Sequence, residues 1–388
     1  MKFDFDKLTE RRGTGSAKWD VGENELPMWV ADMDFETAPA VKLAVTEIAQ
    51  RGIYGYPTLP DEYFESVSDF WFLRHGYRFM PSDMIYSNGI VAAISSMVRR
   101  FSHPAENVVL QTPVYNIFYN CILNSGRRVA ENRLVYDGEG YSIDFDDLEK
   151  KLSDPQSTLM ILCNPHNPVG KIWERETLAK IGELCKKHGV TVISDEIHSE
   201  FTPPGVSYVP FASASETCAD ISLTCISASK SFNIAGLQSA CVVAKNPTLR
   251  QRAFRGINND EVGEPNVFSV AANIAAYRHG SEWLDALQSY VYENKRYAAE
   301  YINTKIKGLK AVNSEATYLL WVDVSHYSSD SKKFAEELRA KTGLYVADGM
   351  KYGSGGESFI RINMATQRAR VEDGLSRLLK FTEHLCKG

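Results

Sequence analysis

The sequence lacks the features that would associate it with a membrane or a nucleic acid. None of its hydrophobic runs approaches the ~20 apolar residues of a membrane-spanning helix. Its 43 lysine and arginine residues are outnumbered by 49 aspartate and glutamate residues, so the net charge is -6. Proteins that bind nucleic acids usually carry an excess of positive charge. We therefore expect neither a membrane nor a nucleic-acid partner.

The cysteines lack the spacing that disulfide frameworks and zinc sites require. No CxxC pair occurs among them; they are Cys121, Cys163, Cys185, Cys218, Cys225, Cys241 and Cys386. Scattered thiols are typical of a reducing compartment. The charged N-terminal stretch MKFDFDKLTERRGTGSAKWD contains no apolar segment of a secretory signal. The expected location is the cytoplasm, and no metal site is predicted.

The composition that remains is that of a large globular enzyme. The 388 residues are 44% hydrophobic and 24% charged, which is ordinary for globular proteins. A chain of this length can bury a large core and usually forms more than one domain.

The middle of the chain alternates short apolar runs with helical patterns. The runs STLMILC, VTVISDEIH, ISLTCIS and SACVVA predict strands at 157–163, 190–198, 221–227 and 239–244. Between the first two runs, Leu178, Ile181 and Cys185 recur at helical spacing. Apolar strands separated by helices predict an α/β fold with a mostly parallel sheet that is covered on both faces.

Polar residues gather at the ends of three of these strands. They are Asn164 and Asn167 after the first strand, Asp195 and His198 in and after the second, and Lys230 after the third. Because the carboxyl ends of parallel strands share one edge and ligands bind there, we expect these side chains to converge. A solvated surface position is the alternative for Lys230.

Beyond about residue 280 the pattern changes to that of a smaller α+β domain. A long helix is predicted at 281–309, then a strand at 316–324, a helix at 330–343, a strand at 358–365 and a helix at 368–385. The predicted divisions are an N-terminal segment that joins the small domain (1–47), a large domain (48–280) and a small C-terminal domain (281–388).

The converging residues match what pyridoxal 5′-phosphate requires of a protein. Its aldehyde needs a lysine, for which Lys230 is the candidate. Its ring nitrogen needs a carboxylate to stay protonated, and Asp195 is the candidate. Tyr115, in QTPVYNIF, is available to stack on the ring.

The phosphate of this cofactor needs backbone N–H groups at a helix N-terminus together with a hydroxyl. The run SNGIVAAISSMVRRF predicts a glycine turn that opens a helix, so the N–H groups of Ile90 and Val91 can face a phosphate. Ser227, three residues before Lys230, can supply the hydroxyl.

Four motifs, NPHNPVG, SDEIH, SASKSFNIAG and RINMA, follow one another along the chain. With them the chain resembles, over nearly its full length, the fold-type I pyridoxal-phosphate enzymes of the class I/II aminotransferase family. The resemblance implies the aspartate aminotransferase fold, in which a large domain with a mostly parallel central sheet binds the cofactor beside a smaller α+β domain.

A narrower resemblance rests on LPMWVADMDF, YGYP and DEIHSE. These segments are similar to those of the MalY/PatB-type cystathionine β-lyases. The implied activity is cleavage of L-cystathionine or related S-substituted cysteines to a thiol, pyruvate and ammonia. The alternatives are an aminotransferase of L-amino acids, or a family member with an additional regulatory role in binding another protein.

The resemblance also implies roles for single residues. Lys230 corresponds to the lysine that forms a Schiff base with the cofactor and acts as general base, and Asp195 to the partner of the ring nitrogen. Asn167 corresponds to the donor to the cofactor's 3-oxygen, and Tyr115 to the stacking ring. Arg361 corresponds to the clamp on the substrate α-carboxylate, with a structural ion pair as its alternative.

Tyr56, in YGYP, resembles a phosphate ligand that reaches across from a second subunit. The chain is therefore expected to form a homodimer with shared active sites. Two positions depart from the common aminotransferase pattern, His198 in place of a tyrosine and Gln238 in place of a phosphate-binding arginine. We assign His198 to the cofactor's 3-oxygen, with a structural hydrogen-bonding role as the alternative. Without the arginine, N–H groups and hydroxyls would hold more of the phosphate.

Overall fold

The computed structural model describes residues 3–386. Its helices are α1 (Pro39–Arg51), α2 (Asp61–His75), α3 (Ile90–Phe101), α4 (Ile117–Leu123), α5 (Phe145–Leu152), α6 (Arg175–Lys187), α7 (Phe211–Ala214), α8 (Glu216–Ile221), α9 (Ala228–Ser231), α10 (Pro247–Asn259), α11 (Val267–His279), α12 (Ser281–Lys305), α13 (Ser331–Thr342) and α14 (Arg368–Leu385). Within the described range, no helix has the length and the unbroken apolar surface that crossing a bilayer requires.

The strands fall into two larger sheets and two short pairs. They are β1 (Leu26–Pro27), β2 (Met84–Ser87), β3 (Asn107–Thr112), β4 (Arg128–Arg133), β5 (Val135–Tyr136), β6 (Tyr141–Ser142), β7 (Ser157–Cys163), β8 (Thr191–Asp195), β9 (Ser222–Ile226), β10 (Ala240–Val243), β11 (Lys310–Ala311), β12 (Leu319–Asp323), β13 (Leu344–Tyr345), β14 (Ala347–Asp348) and β15 (Phe359–Asn363).

The central sheet has seven strands in the order β2-β10-β9-β8-β7-β3-β4. Strands β4, β3, β7, β8 and β9 are parallel, whereas β10 is antiparallel to both β9 and β2. The predicted mostly parallel sheet is therefore confirmed, and the SACVVA run forms its antiparallel strand.

Helices cover both faces of this sheet, which explains why its strands are continuous apolar runs. Alternate residues of β7 and β8 enter different clusters. Ile161 and Ile193 pack with helix α3, whereas Met160 and Val192 pack with helix α6. Burial on both faces fixes the strands, and with them the position of the residues that follow their carboxyl ends.

The second sheet is antiparallel, in the order β11-β12-β15-β14, and belongs to the C-terminal part of the chain. Its apolar side packs against helices α12, α13 and α14. Helix α12 ends at Lys305, four residues before the predicted end at 309, because buried Ile306 adopts an extended conformation that turns the chain toward β11.

The N-terminal segment is attached to the C-terminal part by one strand pair and by its apolar side chains. Strand β1 pairs in parallel with β13, and Trp19 and Met28 join the same cluster as helices α12 to α14. These contacts are compatible with the proposed division into a segment 1–47, a large domain 48–280 and a small domain 281–388. Helix α12 begins at Ser281, where the proposed small domain begins.

A buried carboxylate anchors the segment that follows β1. Asp34 accepts hydrogen bonds from Lys18 Nζ at 2.9 Å, Trp19 Nε1 at 2.8 Å and Arg11 Nη1 at 2.9 Å. Three donors compensate the cost of removing this charge from water. The anchor fixes residues 29–34, and Ala31 in this segment lines the cavity described next.

Candidate active site

A cavity of about 380 Å³ lies at the carboxyl ends of the central strands. Seven of the predicted site residues line it: Ile90, Val91, Tyr115, Asn167, Asp195, His198 and Lys230. The expected convergence at this sheet edge is therefore present in the structure. Ser227, Arg361 and Tyr56 are not part of the lining.

Lys230 projects into the cavity from the short helix α9, which follows β9. Its amine donates a hydrogen bond to the carbonyl oxygen of Ala31 at 2.5 Å. The pKa of Lys230 is lowered to about 8, chiefly by burial and in part by the charge of Arg361, while the carboxylates of Asp32 and Asp195 oppose the shift. An amine with this pKa is deprotonated in a useful fraction near neutral pH, which a base requires.

Asp195 is the last residue of β8 and is buried. Burial raises the pKa of its carboxyl group to about 7, although the N–H of Ile197, at 3.2 Å from Oδ1, and the charge of Lys230 lower it. A buried carboxylate of this kind is stabilised by a cationic ligand.

His198 lies in the turn after β8, and its ring is buried against the edge of Tyr318, 5.6 Å away. Burial holds its pKa well below the usual value, and the charges of Lys230 and Arg361 act in the same direction, so the ring is neutral. Within the described part of the chain, Nδ1 has no hydrogen-bonding partner although it is buried. A buried nitrogen without a protein partner on a cavity wall is available to a ligand.

The N-terminus of helix α3 closes one end of the cavity. Gly89 precedes the helix with a φ of 140°, a conformation that favours glycine. The first N–H groups of the helix, at Ile90 and Val91, have no partner within the helix and can bind an anion. This end of the cavity is suited to a phosphate.

Ser227 does not reach the cavity because its hydroxyl is used within the turn. The Oγ atom donates to the carbonyl of Ser239 at 2.6 Å and accepts from the N–H of Ser229 at 3.0 Å. Ser229, Ser239 and Gln238 line the cavity instead. Ser229 lies two residues along the same motif, so the motif indicated the segment but not which serine faces inward.

Tyr115 and Asn167 lie on the wall next to Asp195. Burial raises the pKa of Tyr115 to about 12, so its hydroxyl stays protonated. Asn167 is buried and its Oδ1 accepts a hydrogen bond from Arg361 Nη1 at 3.1 Å. The amide of Asn167 therefore joins the cavity wall to the guanidinium behind it.

Arg361 is a buried cation on strand β15. Its Nη2 donates to the carbonyl of Trp29 at 3.0 Å, and the guanidinium lies over the ring of Tyr352 at 5.0 Å. Among residues 3–386, no carboxylate forms an ion pair with it, and Nε has no partner. A buried guanidinium without a protein anion fits a substrate carboxylate better than a structural ion pair.

Tyr56 is not among the residues that line the cavity; it lies in the segment between α1 and α2. Its side chain is fully exposed, and Ile53 and Tyr54 nearby are also largely exposed. Ala31, Asn88, Ala92, Cys163, Ile197 and Ala235 complete the cavity wall without having been predicted. Most of these residues have side chains without distinctive chemistry, so no sequence pattern indicated them.

These residues form a set that fits pyridoxal 5′-phosphate. The cavity contains a lysine amine, a buried carboxylate, an aromatic ring and a helix N-terminus, and the orphaned Nδ1 of His198 adds a polar atom. In the described part of the chain, no group of three or more histidine, cysteine or acidic side chains is arranged to hold a metal ion.

Comparisons with known proteins agree with this picture. The chain is 43% identical over 380 residues to the cystathionine β-lyase PatB of Bacillus subtilis, covering 96% of this chain and 98% of PatB. It superposes with a TM-score of 0.95 on cystalysin from Treponema denticola, which contains pyridoxal 5′-phosphate, at 31% identity over 99% of this chain and 100% of cystalysin.

A second solved structure is equally similar. It is the pyridoxal-phosphate-bound putative aminotransferase of Clostridium difficile, with a TM-score of 0.95 and 34% identity over 98% of this chain and 100% of that chain. The predicted fold is confirmed by these superpositions. The sequence model of the family "Aminotransferase class I and II" matches residues 23–378, and the chain belongs to this family.

Proposed function

We propose that this chain is a pyridoxal-5′-phosphate-dependent carbon–sulfur β-lyase. Its substrate is L-cystathionine or a related S-substituted cysteine, which with one water molecule gives a thiol, pyruvate and ammonia. The observation that carries the proposal is that the Lys230 amine and the buried Asp195 carboxylate line the same cavity. The 43% identity to PatB, a cystathionine β-lyase, supports the choice of reaction.

Different cavity residues would bind different parts of the cofactor. Asp195 would hold the ring nitrogen, Tyr115 the ring face, and Asn167 and His198 the ring oxygen. The N-terminus of α3 would hold the phosphate. When bound, the cofactor supplies an aldehyde for the lysine and a ring that withdraws electrons from the substrate.

Lys230 acts as the base. With its pKa lowered to about 8, the amine can take the proton from Cα of the substrate. The electron pair left by that proton allows the Cβ–S bond to break, and the bonding pair leaves with sulfur as a thiolate, which is then protonated. Water hydrolyses the remaining three-carbon fragment to pyruvate and ammonia.

Arg361 holds the α-carboxylate of the amino acid. A guanidinium can form two parallel hydrogen bonds to a carboxylate, whereas an ammonium group cannot. The carbonyl of Trp29 and the amide of Asn167 accept hydrogen bonds from the guanidinium and fix its orientation. Its remaining N–H groups are left to bind the carboxylate.

Replacing Arg361 with lysine should raise KM for the amino-acid substrate roughly 10- to 100-fold, because the bidentate contact is lost. Cofactor binding should survive, since Arg361 lies behind the cofactor-facing wall. Steady-state kinetics and cofactor absorbance measure the two effects. As a matched control, Arg296→Lys alters the exposed ion pair with Glu293 and should leave KM unchanged. An unchanged KM in Arg361→Lys would show that the carboxylate is held elsewhere.

The proposal includes a homodimer with shared active sites, in a cytoplasmic location. Val91 lines the cavity and is nevertheless 44% exposed, and Tyr56 and Ile53 present large uncovered surfaces. Large exposed hydrophobic side chains are typical of surfaces that a partner covers. Free thiols at all seven cysteines fit the reducing cytoplasm.

Replacing Tyr56 with phenylalanine should weaken cofactor retention several-fold without dissociating the dimer, because one phosphate contact from the neighbouring subunit is lost. Equilibrium dialysis and analytical ultracentrifugation measure both properties. Tyr54→Phe is the control, since the Tyr54 hydroxyl already bonds to Ala49 of its own chain. A fully active monomer at assay concentration would refute the shared site.

The second candidate function is an aminotransferase, which the similarity to the putative aminotransferase of Clostridium difficile favours. Both reactions begin with removal of the α-proton by Lys230. They differ in whether a leaving group departs from Cβ or a proton is returned to the cofactor. The residues of the cavity serve either outcome, so the products decide between them.

With L-cystathionine the protein should release thiol and pyruvate in equal amounts without an added 2-oxo acid. L-Alanine should give at most slow amino transfer, because it has no leaving group on Cβ. Thiol and pyruvate release are measured beside amino transfer to 2-oxoglutarate. If transfer is much faster than thiol release, the chain is an aminotransferase.

A further inference from the structure

One carbonyl oxygen in the cavity wall accepts hydrogen bonds from two side chains. The oxygen of Ala31 lies 2.5 Å from Lys230 Nζ and 3.0 Å from the hydroxyl of Tyr318. A carbonyl oxygen has two lone pairs, so both donors are accommodated at once. Tyr318 is therefore linked to the lysine through a single backbone atom.

We infer that Tyr318 is a positioning residue for Lys230, which it orients by fixing the carbonyl of Ala31. The inference rests on the proposed function, in which Lys230 is the base. A neutral amine that donates one N–H to this carbonyl directs its lone pair away from residues 29–34 and toward the cavity. The orientation of the Ala31 peptide therefore restricts the directions in which the basic lone pair can point.

The surroundings of Tyr318 leave its hydroxyl little freedom. The side chain is completely buried, and its ring contacts Phe201 edge-on at 4.8 Å and His198 at 5.6 Å. Burial raises the pKa of Tyr318 well above its usual value, with Asp32 acting in the same direction, so the hydroxyl remains a donor.

The backbone before Tyr318 is held in a strained conformation. Thr317 has a φ of 63°, which is rare for a β-branched residue. Lys295, a buried lysine of α12, donates to the carbonyls of Ala316 and Thr317, both at 2.7 Å. The N–H of Thr317 donates to the carbonyl of Phe201 at 2.7 Å. A strained backbone that several hydrogen bonds hold in place is typical of a segment whose position is important for function.

The test is Tyr318→Phe, which removes the hydroxyl and keeps the ring. The matched control is Tyr136→Phe, since the Tyr136 hydroxyl also donates to a backbone carbonyl, that of Gly138 at 3.0 Å, which is not one of the groups that hold Ala31 or Thr317. Two quantities are measured for each variant. The first is the rate at which cofactor-free protein captures pyridoxal 5′-phosphate, followed by absorbance. The second is the kcat and KM for thiol release from L-cystathionine.

In Tyr318→Phe, both the capture rate and kcat should fall roughly five- to tenfold, the effect of losing one orienting hydrogen bond. KM should stay within about twofold, because Arg361 has different anchors. Tyr136→Phe should match the wild type in all three quantities. A wild-type capture rate in Tyr318→Phe, or equal losses in both variants, would overturn the inference. Failure of the lyase proposal can be distinguished from failure of this inference. In the first case the wild type would release no thiol, while the capture rates would still test the role of Tyr318.

Discussion

The site depends on keeping an amine and a carboxylate out of water in one cavity. Burial pulls the pKa of Lys230 down to about 8 and that of Asp195 up to about 7, so both groups lie near neutrality. The attraction between them limits both shifts. This arrangement costs free energy, and two-sided burial of strands β8 and β9 supplies the rigid frame that maintains it.

Residues 29–34 connect this frame to the C-terminal part of the chain. Their carbonyl oxygens accept hydrogen bonds from Lys230 on helix α9, from Arg361 on strand β15 and from Tyr318, which directly precedes strand β12. The carboxylate of Asp34 anchors the same segment from the other side. One short stretch of backbone therefore sets the relative positions of the base and the carboxylate clamp.

Much of the site could be predicted from the sequence, because the apolar runs show where the strands end. Asn167, Asp195 and Lys230 follow apolar runs, and the rule for parallel sheets places such residues at one edge. The role of the Ala31 carbonyl could not be predicted from the sequence. Every residue has a backbone carbonyl, and only the folded structure determines which one faces the cavity. The assignment of the phosphate hydroxyl to Ser227 had the same limit, because the direction of each hydroxyl depends on how the turn closes. Domain boundaries and the role of Tyr56 remain proposals.

The central claim is that Lys230 is the amine that bonds the cofactor. The direct measurement is borohydride reduction of the protein loaded with pyridoxal 5′-phosphate, followed by proteolysis and mass spectrometry of the labelled peptide. The account predicts a reduced cofactor on Lys230, with one label per chain. A label on another buried lysine such as Lys295, or no label on a chain that retains the cofactor, would contradict it.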